Sequence, residues 1–542
     1  MHFDEMLMQA RANRGCPDEH PWVRVSGGDD ATAAVREALE KSLRESGMEV
    51  RLFRTGSLGW GDFEPLMTVH RPGGPEVIYG GVNPSEVSEL AIDLLRSGKA
   101  RADRALCTKG GGRLDNIPRA EDLPFFKLQN RVALRNCGLI DPEDVDDYVA
   151  CAGGYAGLSK ASQMDQTAVL EMIRDSSSDN GKGCSLPDQL KVLAEAQSDE
   201  KYLVCNGIEG DPRASVSTLL LESDPHAVLE GMLIAAHAAR TGRLIVCVNA
   251  AQPEIATRVG KAIEEMESKG LVGNNVLDSS FSCSVKVRGV QPSLVAEEET
   301  ALLRFLEGKQ AMPLIRPENE GLKLLGKPGI VLLPEALSKI SAVFRETGTE
   351  GNTVAATRVV SLSGDIGHPC VVEVPGDTTI RTLVDEIGGG VAPGRTIKAV
   401  GIGTPMGKLL GSADLETPVA SGSVDGSITI EVFDSERCSV ELARDHMALL
   451  RKETCGKCVF CREGILQMAD ILDSIAAGEG TKDDLDLLGT LGKAMETGSI
   501  CFVGKTAAAP VLGGLELFRH EYEAHVKDKR CPMLKRETTV QV

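Results

Sequence analysis

At 542 residues the chain is too long for one hydrophobic core, and at roughly 150 residues per domain three or four units are expected. Hydrophobic residues make up 42% and charged residues 25%, an ordinary globular composition. Against 79 acidic residues stand 59 Lys and Arg, and the resulting net charge of −20 argues against a general nucleic-acid binder and against docking on an anionic membrane surface. The longest apolar stretches, such as Met232 to Ala239 and Leu244 to Val248, fall far short of the ~20 residues a membrane span needs. The first residues are acidic and lack a basic segment followed by an apolar run, so no signal peptide is expected and the reading is cytoplasmic.

In chain order, WVRVSG reads as a strand, Ala31 to Ser46 as a helix and MEVRLFR as a strand. LMTVH and EVIYGG read as a hairpin across Arg71-Pro72-Gly73-Gly74, and Val87 to Ser97 as an amphipathic helix. The Gly- and charge-rich CTKGGGRLDNIPRAEDLP reads as a linker or wrapping arm. From about 125 to 335, KYLVCN and RLIVCVNA read as strands alternating with the helices DPHAVLEGMLIAAHAAR and Gln252 to Ser268, which suggests a mostly parallel sheet with ligands at the carboxyl ends of its strands. Residues 355 to 433 carry short strands, one helix and many Gly turns, a β-grasp pattern. Beyond Cys438 four helices are expected: Val440–Glu453, Arg462–Ala476, Lys482–Thr497 and Pro510–Val526. The last dozen residues read as a loose tail.

Cysteine stands out, with fifteen in the chain. Eleven, among them Cys184, Cys205, Cys438 and Cys531, are scattered and read mostly as small buried hydrophobes. The other four form a motif: Cys455-Gly-Lys-Cys458-Val-Phe-Cys461, joined by the distant Cys501 in GSICFVGK. Three thiolates at i, i+3 and i+6 in a loop that opens a helix face one concavity, and a fourth arrives from between two bundle helices. A soft four-sulfur set means zinc or an iron–sulfur cluster. Zinc favours two separated CxxC pairs, whereas three close ligands and one distant one fit a [4Fe–4S] cluster better. Gly456 relieves the crowded backbone, and Lys457 or Arg462 offsets cluster charge.

With these motifs the chain resembles the family of 51 kDa flavin- and NADH-binding subunits of respiratory complex I and the related β subunits of soluble NAD-dependent hydrogenases and formate dehydrogenases. The resemblance runs through RVALRNCGLIDPEDVDDYVACAGGYAGL, KYLVCNGIEGDP, EEETALLRFLEGK, CGKCVFCREG and LELFRHEYEAHVKDKRCP. It implies an α/β multidomain chain with a thioredoxin-like unit (1–105), a linker (106–150), a Rossmann-like FMN/NADH domain (151–340) and a ubiquitin-like β-grasp domain (341–435). A four-helix bundle (436–530) and a tail (531–542) follow. It also implies a [4Fe–4S] cluster on Cys455, Cys458, Cys461 and Cys501.

Several family motifs are altered. The flavin loop GRGGAGFPTG corresponds to residues 179–188, which keep Gly183 and Pro187 but carry Lys182 and Cys184 among residues that no longer match. CNADEGEPG becomes residues 205–213, keeping Asn206, Glu209 and Gly210. GAYICGEET becomes residues 292–300, keeping Glu298, and NNVETL becomes residues 332–337. Added Cβ atoms and acids near a phosphate oppose ligand approach. In the N-terminal unit the TGCxGxC pattern of a [2Fe–2S] site is replaced, with Ser57 and Gly61 at or beside one pair of ligand positions and Ser26 and Asp30 near the other. No [2Fe–2S] cluster is therefore expected.

On this reading the chain is a divergent member of the family with eroded motifs. It is an electron-transfer and scaffold subunit of a cytoplasmic multi-subunit oxidoreductase, relaying electrons through one [4Fe–4S] cluster, with FMN and NAD(H) binding lost. Its partners are other redox subunits, without nucleic acid or membrane insertion. One alternative is an FMN-containing NAD(P)H-dependent subunit with a rearranged flavin site, in which Lys182, Lys191 or Arg213 replaces lost phosphate contacts. Another is a purely structural subunit. A plainer role for Asn206, Glu209 and Glu298 is bonding to local backbone, and for His226 and His237 packing within their helix.

Overall fold

A computed structural model describes residues 3–14, 20–176, 185–315, 320–345, 357–421 and 428–533. The first sheet contains β1 (Trp22–Ser26), β2 (Arg51–Thr55), β3 (Leu66–His70), β4 (Glu76–Tyr79) and β5 (Ala105–Lys109), in the order β2-β1-β3-β4-β5. Only β1 and β2 are parallel among these pairs, joined by the helix Asp30–Ser46. That helix starts where the Asp29 carboxylate accepts the Thr32 N–H at 2.8 Å and ends at Gly47 in the left-handed region. Val23, Val25, Val35, Leu39, Met67 and Val69 fill the core of this thioredoxin-like unit. The segment read as a linker from Cys107 onward contributes most of β5, with Cys107 buried opposite Ile78. The helix Phe3–Arg14 instead lays Met6 and Ala10 into the core of the next sheet.

That second sheet contains β6 (Tyr202–Gly207), β7 (Arg243–Asn249), β8 (Ser284–Val290), β9 (Lys323–Leu324) and β10 (Lys327–Leu332), ordered β8-β7-β6-β10-β9. All but the edge strand β9 are parallel. Strands β6, β7 and β8 step outward in one direction, and the chain then returns to place β10 on the other side of β6. The carboxyl ends of β6 and β10 thus frame the point where strand order reverses, the place where such sheets bind ligands. The apolar helix Pro225–Ala239 crosses the helix Pro334–Arg345 so closely that a Cβ on Gly231 would lie 1.8 Å from the Leu337 carbonyl. On the same helix, fully buried Glu230 accepts the Tyr148 hydroxyl at 2.6 Å and the Leu158 N–H at 3.1 Å, and pairs with Arg345 at 2.6 Å.

The third sheet contains β11 (Thr357–Gly364), β12 (Cys370–Pro375), β13 (Ile397–Ile402), β14 (Lys408–Gly411) and β15 (Ile428–Asp434), ordered β12-β11-β15-β13-β14 with β11 and β15 parallel. The turn of helix Thr382–Ile387 packs on it, giving the β-grasp arrangement. Buried Glu373 on β12 accepts the N–H groups of Val132 at 2.7 Å and Leu134 at 3.0 Å, fastening the preceding arm to this sheet. The chain then forms the helices Ser439–Glu453, Val459–Ala476, Lys482–Gly498, Phe502–Thr506, Ala509–Leu517 and Arg519–Asp528 around one apolar core. The expected helix Pro510–Val526 is two helices, because the backbone leaves helical geometry at Phe518. Tyr522 is thereby buried against Gly514. Among the described residues no helix is long and apolar enough to cross a membrane.

Candidate functional site

The three-cysteine loop begins where the helix Ser439–Glu453 ends at extended Thr454. Gly456 sits at φ +72°, a left-handed turn that a side chain would strain, and its carbonyl accepts Arg462 Nη1 at 2.9 Å. Cys458 caps the helix Val459–Ala476, Cys461 lies in its first turn, and Cys501 caps the helix Phe502–Thr506. Two of the four cysteines therefore occupy helix N-cap positions. Burial pushes the Cys461 thiol up to about 11, with Cys458, Cys501 and Cys455 adding to the rise. Burial also raises Cys501, opposed by the Gly504 and Val503 N–H groups.

The ligand atoms that converge within 4.8 Å of one another among the described residues belong to another set, Cys438, His525 and Cys531. The Cys438–His525–Cys531 trio is buried, with Cys438 Sγ 3.3 Å from His525 Nε2, and offers three atoms of the kind that ligate a metal ion. Sequence reasoning missed it, placing Cys438 and Cys531 among the scattered cysteines. The signal was the His-x5-Cys spacing at the end of the last helix.

At the carboxyl end of β6, Asn206 Nδ2 donates to the Glu297 carbonyl at 3.1 Å, and its Oδ1 accepts the Ile208 N–H at 3.2 Å. Glu209 accepts the N–H groups of Ser217 at 2.7 Å and Thr218 at 3.1 Å, capping the helix Val216–Ser223. Gly210 packs so tightly that a Cβ would lie 2.2 Å from the Ser293 carbonyl carbon. Glu298 caps the helix Glu299–Leu306 through the Ala301 N–H at 2.8 Å. These side chains bond to local backbone and hold the switch-point loops in shape. Lys182, Gly183 and Cys184 lie outside the described residues. Lys191 pairs with Glu195 on an exposed helix face, while Arg213 pairs with Asp211 and with Glu431 of β15.

Glu297 stands where the related motif has glycine. Its carboxylate accepts the Gly210 N–H, and burial, helped by Glu209 and Asp211, raises it to about 8. The folded chain then keeps a proton that the unfolded chain releases near pH 4.5. This group's contribution to stability therefore falls from that pH up to about 8 and is constant above it. Glu297→Gln is expected to flatten stability against pH between about 5 and 8 by about 1.4 kcal/mol per pH unit. Denaturant titrations across that range check this, and an unchanged slope would contradict it.

The switch-point segment and the cysteine loop touch. Leu294 N–H donates to Glu453 at 3.0 Å, Lys457 Nζ reaches the Pro313 carbonyl at 2.6 Å, and Glu298 acts electrostatically on Cys501. Leu294, Val295 and Ala301 share one apolar core with Leu450, Cys461 and Val503. In the N-terminal unit, Ser26 and Thr55 hydroxyls meet at 2.7 Å and Ser57 donates to Glu64 at 2.8 Å, while Asp30 opens a helix and Gly61 a short turn. His226 is buried, bonded to Tyr155 and stacked on Tyr148, and burial lowers it to about 3, so it packs as a neutral ring. His237 meets Phe281 edge-on. Burial raises the Cys205 thiol well above its ordinary value, away from the reactive thiolate.

Fold and site define a multidomain α/β oxidoreductase subunit with an iron–sulfur bundle. The family model for the NADH-ubiquinone oxidoreductase-F iron-sulfur binding region matches residues 441–525, and that for the Nuo51 FMN-binding domain matches residues 180–331. The chain is 36% identical to the NADP-reducing hydrogenase subunit HndC of Solidesulfovibrio fructosivorans, over 75% of this chain and 85% of that one. It is 32% identical to an NADH-quinone oxidoreductase subunit of Rhizobium meliloti, covering 74% and 99%. Identity to the alpha subunit of the NAD-reducing hydrogenase HoxS of Cupriavidus necator is 26%, over 92% and 82%. A crystal structure of an NAD+-reducing [NiFe]-hydrogenase in the H2-reduced state superimposes with a TM-score of 0.63 at 21% identity, covering 98% of this chain and 90% of that one, which supports the fold. The chain belongs to the 51 kDa family of NADH oxidoreductase subunits.

These matches correct the sequence reading. The expected erosion and loss of FMN and NAD(H) binding do not stand, because the FMN-binding-domain match spans most of the altered segments, including 205–213 and 292–300. The relay-only function falls with them, and the flavin-containing alternative is the better supported. The physical reason is that backbone N–H groups and strand-end geometry can hold a flavin phosphate and ring. The sequence reading takes the added Cβ atoms and acids as closing the backbone approach to a ligand, yet β6, its loop and the close approach at Gly210 are in place.

Proposed function

We propose that this chain is the FMN-containing, NAD(P)H-linked subunit of a multi-subunit oxidoreductase, passing electrons from the nicotinamide side to a [4Fe–4S] cluster on Cys455, Cys458, Cys461 and Cys501. The observation that carries it is the contact between the switch-point segment 294–313 and the cysteine loop, which brings the loops at the strand ends and the cysteines side by side. The names of the relatives, hydrogenase and quinone-reductase subunits, support partners that carry further redox centres.

FMN, when bound, supplies the conversion of a hydride into single electrons. The chain's own residues do the rest. Asn206 and Glu209 hold the β6 loop in shape at the switch point, and Gly210 lets it lie close to Ser293 and Leu294. Glu297 holds a proton beside that loop at neutral pH. Glu453 and Lys457 tie the loop pair to the cysteines through Leu294 and Pro313, and the shared apolar core excludes water between them. Anaerobic titration of the purified chain with NADH and NADPH tests this. Bleaching of flavin absorbance followed by iron–sulfur absorbance is expected, and no bleaching of flavin-loaded protein by either nucleotide would contradict it.

A further inference from the structure

We propose that Arg213 is a positioning residue for electron transfer: through Glu431 and His446 it sets the helix Ser439–Glu453, and the cysteine loop beyond it, against the loop that follows β6. The proposal rests on the reading above that a flavin at the strand ends reduces the cluster of the bundle. Arg213 lies in the β6 loop, and two carboxylates share its guanidinium. Nε meets Asp211 of the same loop at 2.9 Å, and Nη1 meets Glu431 of β15 at 2.6 Å. The same Nη1 lies 3.5 Å from Nε2 of His446, which itself stands 3.5 Å from Glu431. One side chain thus ties three units together: the switch-point loop, the β-grasp sheet and the helix that leads to Cys455.

The junction is buried and charged. Asp211 and His446 are 6% and 3% exposed. Burial alone would raise the Glu431 carboxyl, yet His446 and Arg213 reverse this and hold it below its ordinary range. Asp211 Oδ2, Arg213 Nη2 and His446 Nδ1 are buried without a hydrogen-bond partner, so no further polar contact anchors these atoms. A second grip lies along the same helix. Leu294 N–H donates to Glu453 at 3.0 Å, and Leu294 is pressed to the β6 loop at Gly210, where a Cβ would come within 2.3 Å of the Leu294 nitrogen. His446 and Glu453 are seven residues apart, so they share one helix face about 10.5 Å from each other. A single contact leaves a helix able to turn or slide, whereas two along one face fix its rotation and its axial position. Cys455 follows two residues beyond Glu453. The planar fork of arginine reaches two carboxylates in set directions, which a lysine ammonium cannot do. In the step concerned, one electron leaves the reduced flavin for the oxidised cluster. The flavin is oxidised by one unit and the cluster reduced by one, a transfer that weakens steeply with distance.

The test uses the full-length chain with flavin and cluster, mixed rapidly with NADH or NADPH, with flavin and iron–sulfur bleaching followed as separate phases. Amide hydrogen exchange across residues 439–461 is measured on the same proteins. In Arg213→Met the flavin phase should stay within about twofold of the parent while the iron–sulfur phase slows at least about tenfold. Exchange across 439–461 should rise at least about fivefold in that variant. Arg213→Lys, which keeps the charge and one carboxylate contact, should fall between Arg213→Met and the parent. His446→Leu should slow the iron–sulfur phase too, and His446→Gln, whose amide still donates to Glu431, should restore most of it. Arg345→Met, which loosens the α/β domain elsewhere, should leave the ratio of the two phases unchanged. An iron–sulfur phase at parental speed in both Arg213→Met and His446→Leu would overturn the positioning role. Equal slowing by Arg345→Met, or flavin and iron–sulfur phases that slow together in Arg213→Met, would overturn it as well. A parent chain whose flavin neither nucleotide bleaches would overturn the functional reading and this proposal with it, whereas a responsive parent with unaffected variants overturns the proposal alone.

Discussion

Cys501→Ser is expected to lower iron and sulfide from about four each per chain to below about one. A serine oxygen is a harder and poorer ligand for iron than a thiolate, and Cys501 is the one candidate ligand delivered from a different loop than the rest. Losing it leaves three thiolates near one another, a half-buried arrangement already costly in the apo chain. The bundle should therefore unfold at a lower temperature, while the sheet β8-β7-β6-β10-β9, whose core is separate, should keep its own transition. Electron delivery beyond the flavin should fall by two orders of magnitude or more, about 3 kcal/mol of lost transfer efficiency at the least. Iron and sulfide assay together with domain-resolved hydrogen exchange read both effects. Unchanged iron and sulfide would remove Cys501 from the ligand set.

Arg345→Met is expected to destabilise the α/β domain by about 3–5 kcal/mol. Glu230 is fully buried, and Arg345 is its cationic partner at 2.6 Å, with the guanidinium also stacked 4.5 Å from the Tyr148 ring centre. Methionine fills much of the volume but leaves the carboxylate with only neutral donors, Tyr148 and the Leu158 N–H. The cost comes from the stranded charge, so the double variant Glu230→Gln with Arg345→Met should recover a large part of it. Urea unfolding of the single and double variants checks this. A double variant no more stable than Arg345→Met would show that lost packing, and not the uncompensated charge, is responsible.

Much of this architecture is legible in the sequence because its signals are local. KYLVCN and RLIVCVNA are short apolar runs bounded by turns, and they are β6 and β7. The four-cysteine motif is legible because three of its members lie within seven residues. What depends on distant pairing is not. β5 is five residues long and followed by glycines, so its pairing with β4 makes it a strand that its own sequence does not announce. Cys438 and Cys531 look unrelated until His525 is folded between them. The break at Phe518 arises because burying Tyr522 under Gly514 outweighs continuing the helix. The flavin site is misread for a related reason, since the substitutions are legible in the sequence and the fold around them is not.

The most direct measurement is the cofactor content of the anaerobically purified chain, incubated with FMN and desalted. About four iron, about four sulfide and about one FMN per chain are expected, with the flavin reduced on adding NADH or NADPH. Iron and sulfide at those levels with no retained flavin, and no response to either nucleotide, would contradict the account.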